Sequence, residues 1–188
     1  CVDPWPACGN GSIDGNEDVY RSQINEDEGL LLRSFNFYGN DTSENAKFVD
    51  SFRITASDLG TGPSSMFRVD AGRAEVYKFR FNYQRMEAYN ALPQFANPLL
   101  GQGIIPGQHT MDRTRRLIDA DLEFMPGSPI SFLVGYSQND YDGPGETTYF
   151  VGQDEFLLTQ DIDDTEQEMR AGMSFNYARF WGNITQGW

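Results

Sequence analysis

Residues 76–84 read Val-Tyr-Lys-Phe-Arg-Phe-Asn-Tyr-Gln, and the eight from Tyr77 to Gln84 alternate without error. Tyr77, Phe79, Phe81 and Tyr83 fall on one face, and Lys78, Arg80, Asn82 and Gln84 on the other. A period of two is the geometry of a β-strand, because successive side chains leave opposite sides of the backbone. One face is wholly aromatic and the other carries two cations. That contrast is sharper than a strand in a soluble sandwich normally shows, so what each face meets becomes the question.

The pattern recurs. Phe48, Phe52 and Ile54 oppose Ser51, Arg53 and Thr55, while Phe67, Val69 and Ala71 oppose Arg68 and Asp70. Ile118, Ala120, Leu122 and Phe124 oppose Asp119, Asp121 and Glu123. Phe132, Val134 and Tyr136 oppose Ser131 and Gly135, and Met169, Ala171, Met173, Phe175 and Tyr177 oppose Arg170, Ser174 and Asn176. Alternation and turn residues mark strand-like runs near 19–25, 30–38, 47–57, 64–72, 74–86, 113–125, 129–138, 147–158, 166–177 and 179–187. Helical periodicity is nearly absent, and a short stretch near 88–100 is broken by Pro93 and Pro98. The expectation is an all-β fold: an antiparallel up-and-down β-barrel of about 8–10 strands over residues 19–188, preceded by an N-terminal arm over 1–18. Short connections near 71–74, 126–129 and 176–178 alternate with longer ones at 39–46, 87–112, 139–147 and 159–165. The connection at 87–112 is long and apolar, with Leu92, Phe95, Leu99, Leu100, Ile104 and Ile105, so it is expected to pack on the barrel mouth or on a partner.

Bulk properties exclude several classes of function. The 188 residues suffice for one domain with a sizeable core. Asp and Glu number 28 against 14 Lys and Arg, a net charge of −14, which opposes nucleic-acid binding. No apolar run is long enough for a membrane-spanning helix. The chain opens at Cys1 without an initiator Met and reads as a processed, exported protein. Cys1 and Cys8 are expected to form a disulfide, either closing a short loop or joining subunits; a lipid-modified Cys1 is a third option.

Several stretches together resemble a known family. They are Gly15–Arg21 leading into Gly29-Leu30, the Asp58-Leu59-Gly60 turn before a strand to Asp70, and Tyr77–Arg85 ending ahead of Leu92-Pro93. Arg113–Phe124, Gly135-Tyr136, Gly143–Thr148 and Asp154-Glu155-Phe156 belong to the same set. The pattern resembles the decahaem-cytochrome-associated outer-membrane β-barrels, the porin-like sheaths of extracellular electron-transfer complexes, in a much shortened form. The resemblance implies an exported envelope barrel that holds no haem itself, with envelope or electron-transfer proteins as partners. A barrel of about ten strands fills its interior with side chains, so it does not enclose a cytochrome.

No catalytic constellation is present, and the chain is expected not to be an enzyme. Neither cysteine lies in a haem-attachment motif, His109 stands alone in the long connection, and phosphate loops and nucleophile elbows are missing. No cofactor is expected apart from calcium. Asp14, Asn16 and Asp18 place oxygens at alternate positions, and Asp140 and Asp142 precede Gly143 in a second oxygen-rich stretch. Asn10, Asn40 and Asn183 begin sequons, which in the bacterial envelope protein that the resemblance implies are read as coincidence. The expected role is structural. The aromatic face, Tyr77, Phe79, Phe81 and Tyr83, is the interface, covered by the lipid bilayer in an outer-membrane barrel or by identical subunits in an extracellular filament. A soluble lipocalin-like barrel with an apolar ligand is the alternative, because alternation does not say which face is inside.

Overall fold

A computed structural model of the chain describes residues 29–41, 48–88, 112–152 and 154–188. All regular structure among them is β. The strands are β1 (Leu31–Asn40), β2 (Ser51–Gly60), β3 (Ser64–Arg73), β4 (Tyr77–Ala88), β5 (Arg113–Phe124), β6 (Ile130–Val151), β7 (Asp154–Tyr177) and β8 (Phe180–Gly187). They form one sheet in sequence order, every neighbour antiparallel. The all-β, up-and-down architecture read from the alternation is therefore present, with eight strands.

Closure is where the structure differs. β1 and β8 end the sheet, and the described strands do not join into a barrel. Alternation specifies two contrasting faces on each strand. It carries no term for whether the first strand meets the last.

Left-handed backbone marks the turns, in most of them at residues other than glycine. Glu75 (φ 61°) lies between β3 and β4, Met125 (φ 54°) and Gly127 (φ 84°) between β5 and β6, and Ala178 (φ 55°) between β7 and β8. These tight turns share one end of the sheet, but so does the longer connection between β1 and β2, against the expected alternation of short and long. The opposite end holds the three-residue link at 61–63 and the connection from β4 to β5. Most of that connection, including His109 and its apolar residues, lies outside the described residues, as do the run at 19–25 and the arm at 1–18.

The expected connections at 139–147 and 159–165 are strand. β6 is 22 residues long and β7 is 24, and they pair continuously from Ile130↔Phe175 to Val151↔Asp154. The run at 147–158 is thus not one strand but the tip of a hairpin that turns at Gly152 (φ 67°). β5 accompanies β6 only as far as Asp142, and β8 pairs with β7 only from Arg170 onward. Beyond those limits the two strands run on as a two-stranded ribbon.

The described residues make a single layer. Ala56, 2% exposed, is the one buried apolar side chain among them, joined by the hydroxyls of Ser65 and Ser131. Folded domains usually bury a sheet face against a second layer. Here nothing described covers either face of the sheet.

Candidate functional site, a charged face backed by an apolar band

Antiparallel register turns each strand's alternation into rows that cross the sheet. One row reads Phe37, Ile54, Val69, Phe81, Ala120, Tyr136 and Met169, and Met169 exchanges both backbone hydrogen bonds with Trp188 at 3.0 Å. The next reads Gly39, Phe52, Ala71, Phe79, Leu122, Val134, Ala171 and Gln186. A third runs Phe35, Ala56, Phe67, Tyr83, Ile118, Gln138 and Gln167. None of these rows contains a charge. Rings meet across strands, with Phe37 and Phe52 centroids 5.3 Å apart and Phe67 and Phe81 6.3 Å apart. The expected interface residues Tyr77, Phe79, Phe81 and Tyr83 share this face, half-buried by their neighbours. Towards β8 the band is open to its surroundings: Val134 is 54% exposed, Ile184 66% and Trp188 70%.

Two charges that interrupt this face in the sequence lie at its borders. Asp50 precedes β2, and its carboxylate accepts the Ala74 backbone N–H at 2.6 Å, tying two connections together. Arg33 is 3.8 Å from Asp58 at the opposite border. Beside it, Arg85 pairs with Glu87 at 2.5 Å, and Arg116 stands opposite Arg85 and Asp140 in register. Charge therefore frames the band without entering its middle rows. On β4 the stretch from Tyr77 to Arg85 covers about 26 Å at 3.3 Å per residue. Tilted by about 45°, it spans about 19 Å, against the ~25 Å apolar band of outer-membrane barrels.

The opposite face carries a ladder of charge. Tyr38, Arg53, Asp70, Arg80, Asp121, Gly135, Arg170 and Gly187 occupy one row across all eight strands. Asp70 accepts from Arg68 at 2.6 and 2.9 Å and lies 3.5 Å from Arg80. Arg170 reaches over β6 to Asp119 at 2.7 Å and Asp121 at 2.9 Å. Gly135 makes that reach available, since a β-carbon there would sit 2.5 Å from Asp121 Oδ1 and 2.9 Å from Arg170 Nε. Arg80 thus meets a carboxylate on the polar face. Lys78 stands opposite Glu123 in register but forms no ion pair among the described residues.

The weak ion sites fare unevenly. Asp14, Asn16 and Asp18 lie outside the described residues, as do Cys1 and Cys8. Asp140 and Asp142 sit in the middle of strand β6, not in a loop, and Asp140 accepts from Gln138 Nε2 at 2.8 Å. Among the described residues no group of three or more His, Cys, Asp or Glu side chains is arranged to hold a metal. Sequence reasoning missed the row order of the charges and a cationic hollow beside Asp70, whose signal was the cluster Arg53, Arg68, Lys78 and Arg80. Comparison with family models, curated proteins and solved structures finds no match for the chain.

Proposed function

We propose that the sheet is a wall of an exported outer-membrane-type β-barrel, a non-enzymatic structural element with lipid on its aromatic face and water on its charged face. The observation that supports this most is the set of three charge-free rows crossing the sheet, framed by ion pairs at one border and by Asp50, bound to the Ala74 N–H, at the other. A cation within such a band costs about 2–4 kcal/mol at mid-bilayer, so exclusion of charge from the middle rows is the pattern lipid imposes. Backbone groups left unpaired in hydrocarbon each cost several kcal/mol, so the outer edges of β1 and β8 are closed by strand pairing in the membrane. The resemblance to sheath barrels of electron-transfer complexes agrees with this role and makes envelope proteins the natural partners.

A second reading rests on the edges. β8 contains no charged residue and β1 only Arg33, so neither carries the charges that normally block edge-to-edge pairing. Identical subunits joined edge to edge would continue the sheet as an extracellular filament.

Single-tryptophan proteins separate the readings. In vesicles of lipids brominated along the acyl chain, a protein retaining only Trp188 should be strongly quenched and one retaining only Trp181, opposite Asn176 on the other face, weakly quenched. Equal quenching of the two, or none, overturns the lipid-facing assignment. Filaments in negative-stain images of detergent-free protein would favour the second reading.

A further inference from the structure

The acidic chain gathers cations at one place on its charged face. A hollow of about 750 Å³ between β1 and β4 is lined by Arg53, Arg68, Arg73, Lys78 and Arg80 against Asp50 and Asp70. The two carboxylates are engaged: Asp50 accepts the Ala74 N–H, and Asp70 holds Arg68 and faces Arg80. Arg53 stands opposite Asp70 in register, yet Asp70 is already occupied, and Arg53 forms no ion pair among the described residues. The same holds for Lys78. Arg80 Nε is buried and makes no hydrogen bond, 3.5 Å from the nearest carboxylate oxygen.

The backbone leaves room between these cations. Gly72 stands in register between Ser51 and Lys78, so its row has no side chain at the point between β2 and β4. Arg53 and Arg80 flank Asp70 in the adjoining row, and Ser51 adds a hydroxyl donor to the lining. Strands are about 4.8 Å apart and same-face residues about 6.6 Å apart along a strand, so these groups surround one small space.

We propose that this hollow binds a small oxyanion, such as inorganic phosphate, held by Arg53, Lys78 and Ser51 above the Gly72 backbone. Guanidinium and ammonium groups with spare N–H donors are what such an anion needs, and the anion would supply the charge that Asp70 cannot share among three arginines. The site depends on the charged face alone, whatever covers the aromatic face.

Calorimetric titration of the folded full-length chain with phosphate at low ionic strength tests it. One phosphate per chain is expected. Arg53→Gln and Lys78→Gln should each weaken binding about tenfold, the loss of one charge-assisted hydrogen bond. Arg53→Lys should retain most of the affinity. Arg179→Gln removes the same charge from the turn between β7 and β8 and should leave binding unchanged. The substituted side chains are exposed, and circular dichroism of each variant confirms the fold. No phosphate binding by the parent chain, or equal weakening by all three glutamine variants, overturns the proposal.

Discussion

β6 and β7 belong to two regions at once, and the change along them is instructive. From Ile130 to Asp142, β6 is held by β5 on one side and β7 on the other, and its residues take their places in rows that span the sheet. From Gly143 to Val151 it has β7 alone. Composition changes at the same place. The wall portion of β7 carries Met169, Ala171, Met173 and Phe175 on its apolar face, whereas Asp161, Asp163, Asp164, Glu166 and Glu168 crowd the stretch before it. Those five carboxylates line an edge that β8 does not cover. Charged residues on an open edge block pairing with another strand. The uncharged β8 has no such protection, so one chain shows both an edge kept single and an edge free to pair.

This contrast has its largest consequence in local stability. An isolated two-stranded ribbon is marginal in water, while a strand flanked on both sides opens only with much of the sheet. Amides of β4 and β5 should therefore exchange with solvent roughly a thousandfold more slowly than ribbon amides beyond Gly143, taking a global stability of about 5 kcal/mol. Mass-spectrometric hydrogen exchange on folded protein checks this. Equal protection would mean that the ribbon is covered by something else and that wall and ribbon are one unit.

A charge placed in each region gives the next largest difference. Phe81→Arg puts a cation in the central apolar row and should lower stability by about 2–4 kcal/mol in vesicles. Thr165→Arg, exposed on the same side just short of the ribbon, on the β7 edge that β8 does not cover, should change it by no more than about 0.5 kcal/mol. Phe81→Ala, which loses the ring without adding charge, separates the two parts of the Phe81 effect. Urea titration of vesicle-embedded protein measures all three. An arginine at 81 no worse than alanine would show that lipid does not cover the band.

Much of the wall was legible because its signal is local. Phe79 and Phe81 declare a face within five residues, and the same holds for Leu122, Val134 and Ala171. The ribbon was not legible by the same rule. Asp140, Gly143, Pro144 and Gly145 carry the composition of a loop, yet backbone pairing with Gln160–Thr165 holds them extended. Main-chain hydrogen bonds do not need apolar side chains, so a hairpin can run through residues that read as turns. The residues that hint at it are the β-formers Tyr141, Thr147, Thr148 and Ile162. Charge pairing was half legible. Alternation put Arg80 and Arg170 on the polar face with Asp121, but only the register brings Arg170 past Gly135 to reach it. Asp50 and Arg33 show the same limit of the local pattern. Their spacing puts them on the apolar face, while the strand limits put them at its borders.

The smallest expected effect tests whether glycine has different work in the two regions. In the wall, Gly135→Ala drives a β-carbon between Asp121 and Arg170 and should part the ion pair that spans β5 to β7. The side chains involved are 22–37% exposed, so solvent screens part of the interaction and the loss should be about 1 kcal/mol. In the ribbon, a β-carbon at Gly145 meets the Cδ1 methyl at the end of Ile162, which can swing aside. Gly145→Ala should therefore cost little, and the lower conformational freedom of alanine in the unfolded chain offsets part of that. The double variant with Arg170→Gln decides the mechanism in the wall. If Gly135 acts by admitting the ion pair, its replacement by alanine should have almost no effect once Arg170 is neutral, a non-additivity visible in urea midpoints. An undiminished loss in the double variant would assign Gly135 to backbone packing, and the charge ladder would then end at Asp121.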